Sequence, residues 1–196
     1  TDAPGAVVVG ASSKATGGVK GIAIGHTVVA NGQDAVAIGS NSQSVPQGVA
    51  LGRLANSGNS ATALGNQATA SGASSVAAGD GANAKNANDV ALGAGSVTGS
   101  RNALTSITIN GTEVGNNGKS SGTAVLAVGN STAARQVQHV SAGLISADST
   151  DAINGSQLYN VITVVNSTAS TATAAKTAAD NAQTTATAAQ SAASSA

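Results

Sequence analysis

The sequence is poor in the residues that build most protein cores. Among 196 residues it contains no cysteine, methionine, phenylalanine or tryptophan, and Tyr159 is its single aromatic side chain. Aromatic and long aliphatic side chains supply most of the apolar area that folding buries. Because alanine, valine, isoleucine and leucine must supply it alone, we expect a thin core that depends on stacked repeats or on partner chains.

Charge is equally scarce. Only 8% of the residues are charged and the net charge is zero, so the basic surface that a nucleic acid or an anionic membrane requires is missing. The lack of cysteine excludes disulfides and cysteine metal sites. No segment approaches the length of an apolar membrane span, and the first residues do not have the pattern of a signal peptide. We expect no nucleic-acid partner, and a fragment or mature piece of a longer protein.

A short apolar motif that ends in glycine recurs through the first half of the chain. Its copies read VVVG, IAIG, VAIG, VALG, TALG, VAAG and VALG, and they end at Gly10, Gly25, Gly39, Gly52, Gly65, Gly79 and Gly93. This regular spacing of 13 to 15 residues is typical of a solenoid, in which each repeat stacks on its neighbours. Within a copy, larger apolar residues alternate with a small one, which predicts a β-strand.

A second, smaller alternation follows three and five residues after each glycine, as at Ser42 and Ser44. Two short strands and two tight turns therefore fill one repeat, with glycine or asparagine at the turns. Since Val36 and Ile38 are the bulky residues of their repeat, we expect them to fill the inside of the coil. Ser42 would then lie nearer solvent, and Ile38→Asp would damage the solenoid far more than Ser42→Asp.

This repeat resembles the head repeat of the trimeric autotransporter adhesins of the YadA type. The motif residues that carry the resemblance are Val36, Ala37, Ile38, Gly39, Val49, Leu51, Gly52, Leu64, Gly65, Val90, Leu92 and Gly93. In that family the head is a left-handed parallel β-roll built by three subunits. The resemblance implies a mainly β fold, with a left-handed parallel β-roll, or β-solenoid, over residues 1–100.

A second resemblance lies downstream, in the segment RQVQHVSAGLISADSTDAINGSQLY of residues 135–159. It is similar to the neck of the same family, which opens on Arg-Gln and closes on Thr-Asp-Ala-x-Asn-x-x-Gln-Leu. The matching residues, within a neck assigned to residues 131–158, are Arg135, Gln136, Asp151, Asn154, Gln157 and Leu158. We expect Arg135 to pair with Asp148 or Asp151 of another subunit, with separate solvated charges as the alternative.

Residues 101–130 interrupt the period before a last VLAVG motif that ends at Gly129. They resemble the head insert of these adhesins. Independently of the resemblance, the alternation around Thr108, followed by Asn110-Gly111, predicts a β-hairpin that protrudes from the roll.

The final segment, residues 159–196, predicts a helix. Small or apolar residues recur at heptad spacing from the end of the neck: Leu158, Val161, Val165, Thr168, Ala172, Ala175, Ala179, Ala182, Ala186, Ala189, Ala193 and Ala196. This pattern predicts a C-terminal α-helical trimeric coiled coil, the first part of a longer stalk. Because alanine buries little area, we expect the helix to depend on the other two chains.

Residues with catalytic or metal-binding chemistry are few. His26 and His139 lie far apart, and the eight carboxylates do not have the spacing of metal ligands. Gly118-Lys119-Ser120 resembles the end of a phosphate-binding loop, but Glu113 stands where its first glycine is required. We therefore expect no enzyme activity, no cofactor and no metal.

The resemblance implies a bacterial surface adhesin that contributes to virulence. It would be a homotrimer that attaches to host cells or extracellular-matrix proteins, anchored in the outer membrane by a C-terminal segment absent from this fragment. The Ala/Ser/Thr surface of the roll is the candidate adhesive face, although a mere spacer of a surface fibre would show the same surface.

Two other β-solenoid functions are considered. An ice-binding solenoid predicts sustained Thr-x-Thr ladders, and a calcium-dependent β-roll needs Gly-Gly-x-Gly-x-Asp repeats. The sequence has neither.

Overall fold

The computed structural model describes residues 3–18, 20–101, 106–109, 112–115 and 122–195. Two compact units are formed, Thr1–Gln136 and Val137–Ala196. The strands of the first unit are β1 (Val7–Val9), β2 (Lys14–Thr16), β3 (Ile22–Ile24), β4 (Val29–Asn31), β5 (Val36–Ile38), β6 (Gln43–Ser44), β7 (Val49–Leu51), β8 (Asn56–Ser57), β9 (Thr62–Leu64), β10 (Thr69–Ala70), β11 (Val76–Ala78), β12 (Asn83–Ala84), β13 (Val90–Leu92), β14 (Ser106–Ile109), β15 (Thr112–Gly115) and β16 (Leu126–Ala127). The second unit contains helix α1 (Gly155–Ser194).

The first unit is a parallel solenoid with two sheets. The motif strands form one sheet in the order β1-β3-β5-β7-β9-β11-β13-β16, and the smaller strands form the other in the order β12-β10-β8-β6-β4-β2. Equivalent residues of successive coils pair directly, as Ala37 does with Ala50. The predicted parallel β-roll and its second strand are confirmed. The VLAVG motif also rejoins the sheet, since β16 pairs with β13.

The predicted assignment of inside and outside is wrong. The central alanines of the motif, such as Ala37 and Ala50, are fully buried, whereas Val36 and Ile38 on either side are only partly buried. Ser42 is also fully buried. The physical reason is space, because a coil of two- and three-residue strands has an interior that alanine and serine already fill at normal packing density. The bulky residues of the motif therefore point outward.

The glycine that ends each motif is explained by its backbone. At the seven motif glycines φ lies between +99° and +140°, a conformation that side chains disfavour. Neighbouring coils also approach closely there, since a Cβ added to Gly52 would lie 2.3 Å from the carbonyl oxygen of Gly65. Each coil therefore needs a glycine at this point in order to stack on the next.

The predicted hairpin is present in the insert, where β14 and β15 pair antiparallel and Ile107 lies opposite Val114. Its turn, Asn110-Gly111, and the segment Gly118-Lys119-Ser120 lie outside the described residues. Helix α1 begins at Gly155, inside the segment assigned to the neck from sequence. The domain boundaries remain predictions.

No described residue of helix α1 is buried, and all of them except the partly buried Gln157 are exposed. Its heptad pattern thus has no partner within the chain, and the trimeric coiled coil remains a prediction. No helix in the described part of the chain is both long and apolar enough to cross a membrane.

Candidate functional site: two outward faces and a neck

The outward side chains of the larger sheet form a continuous apolar strip. Their positions alternate with the buried alanines, and each lies directly over its counterpart in the next coil. The members of this apolar strip are Val7, Val9, Ile22, Ile24, Val36, Ile38, Val49, Leu51, Thr62, Leu64, Val76, Ala78, Val90, Leu92 and Leu126. Leu64 and Leu92 are about half exposed. Contiguous apolar surface of this kind marks an interface rather than a solvated wall.

The outward side chains of the smaller sheet form a polar face with little charge. Its members are Lys14, Thr16, Val29, Asn31, Gln43, Asn56, Thr69 and Asn83. Amide groups dominate its centre, where Gln43 pairs in register with Asn56. The two sheets thus turn chemically opposite faces outward, one apolar and one able to donate and accept hydrogen bonds.

Asp89 is a buried carboxylate that the sequence reasoning missed. It is only 1% exposed and lies just before β13, where the preceding coil has Ser75. One carboxylate oxygen accepts from the backbone N–H of Val125 at 2.8 Å. The other accepts from the backbone and side-chain amides of Asn86, at 3.2 and 2.9 Å. Asp89 therefore fixes the strand that re-enters the roll after the insert.

The environment of Asp89 lowers the pKa of its carboxyl group. Burial alone raises that pKa, but the hydrogen bonds from Thr98, Val125 and Asn86 favour the charged form and outweigh it. Only Asp89 itself, placed where other repeats have glycine, alanine or serine, could have indicated this role from sequence.

We expect Asp89→Asn to lower the stability of the head by about 2 kcal/mol near neutral pH, because charge-assisted hydrogen bonds are replaced by weaker ones. A carboxyl whose pKa is lowered by folding stabilises the fold above its unfolded pKa and loses that contribution as pH falls through the folded value. The difference between the two proteins should therefore shrink below about pH 3.8. Urea unfolding from pH 2 to 7 measures it.

Asp34→Asn is the matched control for Asp89→Asn, because Asp34 is exposed on a turn where φ is +54° and asparagine is tolerated. It should leave the urea midpoint close to that of the parent. A constant difference between the parent and Asp89→Asn across the whole pH range would contradict the assigned role.

In the neck, Asn154 and Gln157 form a reciprocal cap at the start of α1. The side-chain oxygen of Asn154 accepts from the backbone N–H of Gln157, and that of Gln157 accepts from the backbone N–H of Asn154, both at 3.2 Å. Gln157 also donates to the carbonyl of Gly143 at 2.7 Å and accepts from its N–H at 3.0 Å. The amide of Asn154 donates to the carbonyl of Val140. This capping box clamps the preceding segment against the helix start.

Asp151 and Gly143 also hold the segment before α1 against the start of the helix. The carboxylate of Asp151 accepts from the backbone N–H of Leu144 at 2.9 Å. A Cβ on Gly143 would lie 2.3 Å from the carbonyl oxygen of Ala152, so the crossing requires glycine. The structure thus brings together Asp151, Asn154 and Gln157, three of the residues singled out from sequence.

The other predicted neck residues lie elsewhere. Arg135 belongs to the first unit and donates to the carbonyl of Val128 and the hydroxyl of Ser96, at 2.8 and 2.9 Å. Gln136 is exposed, and Leu158 is 55% exposed on α1. Pairing of Arg135 with a carboxylate of another subunit remains a prediction. Among the described residues, no three histidine, aspartate or glutamate side chains are grouped to hold a metal ion.

Comparison with known proteins gives three findings. The YadA head domain repeat matches residues 17–42, 57–82 and 70–96. The collagen-binding domain of the Yersinia adhesin YadA is 26% identical to this chain with a TM-score of 0.53, over 81% of this chain and 75% of the other. The C-terminal YadA-like domain of a Burkholderia pseudomallei protein is 41% identical with a TM-score of 0.48, over 58% of this chain and 50% of that domain. No curated protein sequence matches the chain.

The fold and the repeats together indicate the class of the protein. The chain is a parallel β-roll built from glycine-terminated repeats, with a capped helix in its second unit, and its repeats match those of YadA-like head domains, which imply an adhesin-type function. The chain carries YadA head domain repeats over residues 17–42 and 57–96, and its fold is similar to that of the collagen-binding domain of the Yersinia adhesin YadA. It spans half of the Burkholderia domain and three quarters of the Yersinia domain.

Proposed function

We propose that this chain acts as a homotrimer on the bacterial surface and attaches to host extracellular matrix or host cells through the polar face of its roll. The observation that carries the proposal is the chemical opposition of the two outward faces. An apolar strip over eight paired strands favours burial against identical chains, which leaves the polar face outward.

The apolar strip favours a parallel homotrimer because its residues repeat in register. Val36, Val49 and Thr62 occupy one column, and Ile38, Leu51 and Leu64 occupy the next. Identical strips that meet side by side bury the same layers at every coil. The exposed heptad positions of α1 require the same parallel partners, since Val161 and Val165 are each more than half exposed. Two separate parts of the chain thus favour one assembly.

Attachment to matrix proteins is supported by the Yersinia relative, whose domain is described as collagen-binding. In this chain the alanines and serines first considered as the adhesive face are buried, so the polar face takes that role. Its ladder of Gln43, Asn56, Thr69 and Asn83 offers similar shallow groups in successive coils. Repetition of weak contacts gives avidity rather than a single tight site.

The other functions have less support. An ice-binding face needs a regular threonine array, whereas the polar face mixes amides with Thr69 and the apolar strip is built of valine, isoleucine and leucine. A metal-dependent catalytic role has no support in the described part of the chain, where no three histidine, aspartate or glutamate side chains are grouped. Display on the cell surface through an outer-membrane anchor is proposed from the family.

Binding to collagen-coated surfaces tests the adhesive proposal. Soluble protein should bind weakly, and the same protein clustered on beads should bind at least about 100-fold more tightly. The double variant Asn56→Glu and Thr69→Glu should abolish bead binding, because it places like charges on the polar face. Equal binding by the parent and the double variant would contradict the assignment of the face.

Gln67→Glu is the matched control, since Gln67 is exposed at a corner of the roll and outside the polar face. It should retain bead binding. Failure of clustered parent protein to bind collagen, other matrix proteins or host cells would favour the spacer function.

A further inference from the structure

Two of the backbone hydrogen bonds that join successive coils of the roll lie at the motif glycine and repeat from coil to coil. In one, the residue two places after a motif glycine donates its N–H to the residue one place after the preceding motif glycine. These bonds run from Thr27 to Ala11, Asn41 to His26, Leu54 to Ser40, Gln67 to Arg53, Gly81 to Asn66 and Gly95 to Asp80. In the other, the N–H of each motif glycine donates to the carbonyl of the residue that directly precedes the motif glycine of the coil before. Gly52, for example, donates to Ile38, which precedes Gly39, at 2.8 Å.

At the end of the roll one side chain binds an acceptor of each kind, in two successive coils, while the carbonyl of Leu92 accepts from the hydroxyl of Ser96 at 2.6 Å. The next carbonyl of the first series is that of Ala94, and it accepts from the Nη2 group of Arg135. The carbonyl of Val128, just before the last motif glycine, accepts from the Nη1 group of Arg135 at 2.8 Å. The Nη1 group also donates to the hydroxyl of Ser96 at 2.9 Å. The guanidinium thus supplies donors where backbone N–H groups would otherwise continue the ladder.

The position of the guanidinium also shows that it takes the place of a backbone group. At Gly79, an added Cβ would lie 2.4 Å from the carbonyl carbon of Gly93, the equivalent peptide of the next coil. At Gly93, an added Cβ would instead meet Cζ of Arg135 at 3.2 Å. A planar guanidinium therefore lies over the last regular glycine in the place that a planar peptide group occupies in every earlier coil.

We propose that Arg135 is the edge cap of the roll, a side chain whose guanidinium takes the place of backbone donors at the last two coils. An uncapped sheet edge presents unpaired carbonyls and is a template for pairing with other chains. Arginine suits this task because its rigid fork donates several hydrogen bonds in fixed directions, whereas lysine is a point charge. This role is distinct from the charge pairing predicted from sequence, because its acceptors are neutral and lie within the same chain.

Hydrogen exchange of the complete chain, followed by mass spectrometry or NMR, tests the cap. In Arg135→Gln, exchange at the amides of Gly95, Ser96 and Val97 should be about 10-fold faster than in the parent, because the last coil frays. Exchange at Leu54 and Gln67, in the middle of the roll, should not change. Arg135→Lys keeps the charge and should behave like Arg135→Gln, since it cannot restore the fork.

The matched control is Arg53→Gln. Arg53 is exposed on an internal coil, and its own carbonyl already accepts from Gln67 at 2.8 Å. This variant should leave exchange in the last coil at the parent rate. Parent-like exchange in both Arg135 variants, full rescue by lysine, or an increase spread evenly over all coils would each overturn the proposal.

Discussion

Replacing Gly52 by alanine is expected to destabilise the roll by about 3 kcal/mol or more, among the largest effects of any single methyl group in this chain. The new Cβ would lie 2.3 Å from the carbonyl oxygen of Gly65, and the backbone at Gly52 has φ +134°. Gly52 and Gly65 cannot move apart easily, because their N–H groups donate to the carbonyls of Ile38 and Leu51 in the preceding coil, each at 2.8 Å. Thermal unfolding should show a melting temperature lower by roughly 6 to 12 °C.

Gly81→Ala separates the close approach from the general cost of removing a glycine. Gly81 has φ +61° and nothing within 4 Å of an added Cβ. Other coils place Thr27, Asn41 or Leu54 at the same point with nearly the same φ. The expected cost is therefore only about 1 kcal/mol. Equal losses for Gly52→Ala and Gly81→Ala would show that stacking of coils does not depend on the motif glycine.

Ser42→Asp is expected to damage the roll more than Ile38→Asp, the reverse of the order predicted from sequence. Ser42 is fully buried and its hydroxyl donates to the carbonyl of Gly39 at 2.7 Å. A carboxylate there has no room and no partner, which costs several kcal/mol. Ile38 points outward from the coil, so a carboxylate at this position acts mainly on assembly.

The two variants are distinguished by how their melting temperatures depend on protein concentration. For Ser42→Asp the melting temperature should fall at every concentration. For Ile38→Asp it should fall most at low concentration, because dissociation then precedes unfolding. A loss for Ile38→Asp that is the same at all concentrations would contradict the role of the apolar strip.

Sequence reasoning succeeded where a pattern reflects contacts within one chain. The recurrence of Val-Ala-Ile-Gly predicts parallel strands in register, and Val36, Ala37 and Ile38 pair with their counterparts as expected. The alternation around Thr108 likewise predicts the pairing of β14 with β15. Both depend on local periodicity, which a sequence displays directly.

The faces of the roll could not be assigned in the same way. Bulky apolar residues are normally buried, but burial of Ile38 within one chain would need more space than the coil provides. We expect other copies of the chain to cover it, and a single sequence does not display them. Asp89 was missed, and the contacts of Arg135 within its own chain were not foreseen, for a related reason, since their partners Val125 and Ala94 lie 36 and 41 residues away.

The most direct test of the central claim, that the apolar strip assembles three parallel copies, is sedimentation equilibrium of the complete chain at micromolar concentration. We expect a single species of three times the 18.3 kDa chain mass. The double variant Ile38→Asp and Leu51→Asp should shift the distribution toward monomer, while Asn56→Asp on the polar face should remain trimeric. A stable folded monomer of the parent chain, or a strip variant that sediments like the parent, would contradict the account.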